Sequence, residues 1–187
     1  MKRIPLYSLL AFLLTVPAQA QEPASGDWRA PSHLIAINPL QLLFGKVSLE
    51  YEQGLGRHVS LLFTPSALVF PGLIAPSIDN LQAYGLQVGL HIFPGGNALN
   101  GFWMGPEVYA AYAVASNGGL RATGYQTAVQ GALGYTFIIG YHLGLSLGVG
   151  AGWTALAVQG RDQLGIFYAF SENGLSLSGR LSFGYAF

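Results

Sequence analysis

The sequence predicts an all-β protein built as a single antiparallel transmembrane β-barrel of eight strands. Composition is the first observation behind this. Only 9% of the 187 residues are charged, and the mean hydropathy is +0.42. A soluble domain carries about 25% charge, so this chain has too little polar surface for water. Alternation is the second. In the last stretch, Leu175, Leu177, Leu181, Phe183, Tyr185 and Phe187 share one parity, while Ser176, Ser178, Arg180, Ser182, Gly184 and Ala186 share the other. That period of two is a strand signal. The third lies in the most apolar segment, Gly131 to Val158. It contains seven glycines, each costing about 1 kcal/mol in a helix interior. Leu143, Leu145, Leu147, Val149, Ala151 and Trp153 alternate there with small residues, so it reads as strands rather than one transmembrane helix. A bilayer accepts strands only when their edges close, which makes a barrel.

Residues 1–20 are set apart as a signal peptide. Lys2 and Arg3 precede a mostly apolar run from Ile4 to Val16, and Ala18-Gln19-Ala20 is a small-x-small cleavage site, with cleavage after Ala20. Residues 21–32 are polar with prolines and read as a periplasmic lead-in, leaving 33–187 as the barrel. After cleavage, Lys46 and five arginines stand against eight carboxylates. With no basic patch, nucleic acid is excluded as a partner.

The strands follow in order. His33 to Phe44 is the first, with a kink or bulge expected at Asn38-Pro39, because proline donates no ladder hydrogen bond. Gly45 turns the chain into Lys46–Leu55, with Val47, Leu49 and Tyr51 opposite Ser48, Glu50 and Glu52. Residues 54–57 make a tight turn into His58–Leu68. Val69 to Leu81 carries Pro71, Gly72, Pro76, Asp79 and Asn80, a loop composition. Gln82–Phe93 and Phe102–Ala115 follow, joined by a turn that begins at Pro94. Asn117-Gly118-Gly119 is a hairpin turn leading into Ala122–Ile138. Gly140 then turns the chain into His142–Val158. Gln159–Gly174 is a polar-flanked loop, and Leu175–Phe187 closes the chain. Ten strands result instead if Leu164–Phe170 pairs separately and the Pro39 region splits. With both termini periplasmic, the long connections fall outside, as bacterial barrels arrange them. Tyr51, Phe63, Tyr84, Phe102, Tyr112, Tyr125, Tyr135, Phe137, Trp153, Phe183, Tyr185 and Phe187 all fall on the lipid-facing parity. Many lie near strand ends, where aromatic girdles sit.

Two resemblances extend this reading. The terminal strand with Phe183, Tyr185 and Phe187 resembles the C-terminal strand that barrel-assembly machinery recognises in Gram-negative outer-membrane proteins. Asn38-Pro39-Leu40, running through Gly45 to Ser48-Leu49-Glu50-Tyr51-Glu52 and then Ser60-Leu61, is similar to the opening of a bacterial outer-membrane-barrel family of unknown function, of OmpA/OmpX-like architecture. The resemblance implies an outer-membrane location with outer-membrane lipid as surroundings. It implies no activity.

The inward parity gathers Glu50, Glu52, His58, His91, Glu107, His142 and Arg180. An eight-stranded barrel is filled by its own side chains, and unpaired interior charge is costly, so a polar network of Glu50, Glu52, His91, Glu107 and Arg180 is expected. Arg180 pairs with Glu50 or Glu52 in this reading, because the last strand closes against the first. The same residues allow a catalytic alternative. His58 and Ser60 share a strand face, with Glu107 to orient the imidazole, and this set resembles outer-membrane lipid A deacylases. No metal site is expected from His58, His91 and His142, which lack close ligand spacing. No cofactor is expected either. Gly148, Gly150 and Gly152 leave room for bulky neighbours across the barrel. The function expected is structural or surface-interacting, through partners of the outer loops. A lipid A-modifying enzyme and a narrow pore are the alternatives.

Overall fold

Alternating residues sort themselves onto two faces of each strand, and the strands close on one another. The computed structural model describes residues 31–69, 80–117, 120–140, 142–159 and 173–187. The signal peptide, most of the lead-in, most of both long loops and Leu164–Phe170 lie outside these residues. The strands are β1 (His33–Ile37), β2 (Lys46–Gly54), β3 (Val59–Leu68), β4 (Asn80–Ile92), β5 (Gly101–Asn117), β6 (Leu120–Ile139), β7 (Leu143–Gln159) and β8 (Gly174–Ala186). They form a closed eight-stranded barrel in sequence order, every neighbour antiparallel, with β1 against β8. The apolar segment 131–158 falls into β6 and β7, paired from Thr123↔Gln159 to Ile139↔Leu143.

The opening of the barrel differs from the sequence expectation. Residues 38–44 do not extend the first strand through a kink. Pro39–Leu43 is a short helix, α1. Asn38 caps it, its side chain accepting from Gln41 N at 3.3 Å, and Pro39 occupies the first turn, where its missing N–H removes no helical bond. Gly45, at φ 70°, supplies the left-handed residue that ends such a helix. The Asn-Pro pair is therefore a helix start rather than a bulge.

The wall is uneven. β1 has 5 residues and β2 has 9, whereas β5 has 17 and β6 has 20. Pairing of β8 with β1 runs only from Leu34↔Ala186 to Ile37↔Phe183. Above that level α1 lies between β2 and β8.

Inside, the side chains form layers. The floor joins Leu34, Ala36, Leu99 and Ala186, with Ile138 packed against them. Leu99 is fully buried, and it holds φ 68°, a left-handed conformation uncommon for leucine. Phe93, Trp103 and Ala132 form a further apolar group. At the opposite end Leu81, Ala115 and Ala122 pack with Leu68, Ala113 and Leu156. A polar layer lies between these ends.

The outer face is greasy. None of the twelve aromatics assigned to it is buried. His33 stacks on Tyr51 and on Phe187, Phe187 on Tyr185, and Tyr185 on His142. These rings form a belt segment along β8, β1 and β2, at the end of the barrel where β8 finishes.

Candidate functional site: the interior polar layer

Glu107 is the hub. The β5 alternation turns it inward, where it is 2% exposed, and four polar side chains from three strands reach it. Arg180 Nη2 donates to its Oε1 at 2.7 Å, and Gln87 Nε2 to its Oε2 at 2.6 Å. Gln130 Nε2 donates to Oε2, and His91 Nε2 stands 3.1 Å from Oε1. His91 also reaches Glu52 Oε1 through Nδ1, at 2.8 Å. Both ring nitrogens face carboxylates, so the ring donates to both only when it carries two protons. Ser60 donates its hydroxyl to the same Glu52 oxygen. Glu50 is approached by Arg180 Nε at 3.8 Å and by Asn38 Nδ2 at 3.4 Å. Nearer the β2 start, Lys46 Nζ lies 3.3 Å from Tyr109 OH and 4.5 Å above the Tyr109 ring.

Glu50, Glu52, His91, Glu107 and Arg180 thus lie together. Arg180 is shared between Glu107 and Glu50, with Glu107 the closer, while Glu52 is held by His91 and Ser60. The catalytic grouping is not brought together. His58 is exposed on the β2–β3 turn, its Nδ1 3.2 Å from Phe93 O. Ser60 is wholly buried and spends its hydroxyl on Glu52. The imidazole beside Glu107 belongs to His91. His142 also departs from the inward expectation. It is exposed, stacked on Tyr185, with Nδ1 3.2 Å from Ala186 O. Among the described residues, no three His, Asp or Glu side chains gather as a metal site.

Trp103 completes the layer and went unremarked in the sequence, although it sits two steps of two from Glu107. It is 1% exposed, stacks on His91 at 4.0 Å between ring centroids, and has the Arg180 guanidinium 5.2 Å from its own. Glycines make its room. A Cβ on Gly148 would stand 2.9 Å from two Trp103 ring carbons, and one on Gly134 would collide with the same ring. Asn38, Gln87 and Gln130 are the other polar residues that only the assembled barrel brings to the charges.

Asn38, Gln41, Glu50, Gln130, Ser178 and Arg180 help to line a cavity of about 40 Å³ beside this network, room for a few waters. Trp103 Nε1 and Gln41 Oε1, both on residues of its wall, are buried without hydrogen-bond partners.

Comparison with protein-family models, with curated proteins and with solved structures finds no match to the chain.

Proposed function

We propose that the chain is an outer-membrane β-barrel protein whose role is structural or surface-interacting, with its interior serving as a fixed plug. One observation supports this above the others. At strand positions 33–37, 46–54, 59–68, 81–92, 101–116, 122–139, 143–157 and 174–186, whose side chains are described, no outward residue is Asp, Glu, Lys or Arg, while Lys46, Glu50, Glu52, Glu107 and Arg180 all turn inward. A sandwich or barrel in water would need the opposite arrangement, whereas lipid requires this one. The belt of His33, Tyr51, His142, Tyr185 and Phe187 suits a membrane interface. Its place at the terminus fits insertion by barrel-assembly machinery, with export directed by residues 1–20. The small-barrel family suggested by residues 38–61 fits the same architecture.

The interior supports the plug over the pore and the enzyme. Apolar groups pack on both sides of the polar layer, and its charges are engaged with one another rather than lining an open channel. Ser60, the only nucleophile proposed, is engaged by a carboxylate rather than an imidazole. A surface partner would bind at the end of the barrel toward which the long strands β5, β6 and β7, of 17, 20 and 17 residues, extend.

Cell fractionation with heat-modifiable gel migration tests this reading. Recovery from the outer membrane with a folded-to-unfolded mobility shift is expected, and recovery from soluble periplasm would overturn it. Planar-bilayer recordings are expected to show no channels. Mass spectrometry of lipid A is expected to show the same acyl pattern with and without the protein.

A further inference from the structure

The short β1 leaves a notch in the barrel wall, and we infer that this notch is a lateral binding site for a bilayer amphiphile with an ammonium-bearing head. The inference rests on the outer-membrane reading above. β8 continues from Ser182 back to Gly174, paired with β7 throughout. Among the described residues, no strand pairs with its other edge beyond Ile37↔Phe183. Across the notch, Lys46–Ser48 of β2 pair with β3 and, among the described residues, with no other strand. Between the two edges sits α1, whose backbone bonds are all local or to its own caps.

Ser178 shows the consequence. Its parity is inward, yet it is exposed, unlike Ser182 on the same face, which is 1% exposed. A tilted strand of this length raises Ser178 about 20 Å above the terminus, inside the roughly 25 Å apolar band of an outer-membrane barrel. This edge has no strand partner among the described residues, and backbone at that depth needs one, because hydrocarbon supplies none.

The chemistry of the notch points to an amphiphile. Its outer flanks are apolar: Leu175 and Leu177 on β8 are 79% and 81% exposed, and Leu43 and Phe44 opposite are 71% and 65% exposed. Its floor is polar, the small cavity lined by Gln41, Glu50, Ser178 and Arg180. Glu50 and Glu107 outnumber Arg180 there, so the floor is net negative and favours a cationic group over a phosphate. The cavity of about 40 Å³ is sized for the tip of a head rather than a sugar. Gln41 Oε1 is an acceptor left for an ammonium, and Trp103 Nε1 is a donor left for a neighbouring head-group oxygen.

The absence of cysteine from the chain permits a direct test. Single variants Leu177→Cys, Ser178→Cys and Ser182→Cys are labelled with bimane and reconstituted in vesicles of phosphatidylethanolamine brominated in its acyl chains. Folding of each is checked by gel mobility. Quenching at 178 is expected to approach that at outward-facing 177 and to exceed that at 182 several-fold. Exchanging the quencher for brominated phosphatidylglycerol is expected to weaken quenching at 178 and leave 177 unchanged. If 178 behaves as 182 while 177 is quenched, the notch is closed to lipid and this inference fails alone. Equal quenching at 178 by both lipids would overturn the ammonium head. An unquenched 177 would overturn the membrane reading and this inference with it.

Discussion

Arg180 reaches across the barrel from β8 to Glu107 on β5, placing Nη2 2.7 Å from Oε1. Its side chain is 10% exposed and that of Glu107 is 2% exposed. The pair therefore sits where removing one partner leaves the other without compensation. Breaking a buried pair costs about 3–5 kcal/mol, whereas replacing both members with neutral residues of similar volume is often close to neutral. Arg180→Ala is expected to lower stability by about that amount in urea titrations of the vesicle-bound protein. Arg180→Met combined with Glu107→Gln is expected to lose much less. An unchanged midpoint for Arg180→Ala would mean that the interior charges do not hold the barrel together.

Trp103 and Gly148 make a second coupled pair. The indole ring occupies the space that a Cβ on Gly148 would need. Gly148→Val is expected to destabilise by about 1–3 kcal/mol through overpacking. Trp103→Leu alone is expected to lose about 2–5 kcal/mol by opening a cavity. Because the two changes act on one space, the double variant is expected to be more stable than the sum of the singles. Simple additivity in the unfolding midpoints would show that the glycine does not exist for the tryptophan.

The inward and outward faces were legible because parity is local: each strand shows its own alternation without reference to its neighbours. The contacts across the lumen were not. Which acid Arg180 meets depends on the stagger between strands, a property of the closed barrel rather than of any strand. The expected partners were Glu50 or Glu52, and Glu107 is the closer one. His58 and His142 were assigned inward by extending parity past strand ends into turns, where alternation no longer governs direction. α1 was missed for a different reason. Asn-Pro carries both a strand-breaking and a helix-starting signal, and five helical residues are too few for a periodicity to decide between them.

Asn38 links that helix to the polar layer. Its oxygen caps Gln41 N, while its amide nitrogen donates to Glu50 Oε1 at 3.4 Å. Loss of an N-cap side chain costs about 1 kcal/mol, and a buried acceptor left without its donor adds about 1–3 kcal/mol. Asn38→Ala is expected to destabilise by more than the cap alone explains, and Asn38→Ser to recover only the cap contribution. Equal stability of the alanine and serine variants in the same urea titration would remove the cap from the account.

Phe187 ties the end of β8 to the start of β1. Its carbonyl accepts from Ser32 N at 3.0 Å and from His33 N at 2.9 Å, and its own N–H donates to His33 O at 2.9 Å. The ring stacks on His33 at 5.3 Å and on Tyr185 at 6.2 Å. Backbone and ring therefore do separable work. Phe187→Ala keeps every backbone bond but removes the ring from the belt, whereas deleting the residue also opens the seam between β1 and β8. With only four residue pairs along that seam, each lost bond is a large share of the closure. Both variants are expected to assemble less efficiently in cells, measured as the heat-modifiable fraction in membranes. The purified alanine variant is expected to refold into vesicles with nearly normal urea resistance, and the deletion to unfold at distinctly lower urea. Equal urea midpoints for the two would show that the seam does not depend on the terminal backbone bonds, and that the ring alone accounts for the effect of Phe187.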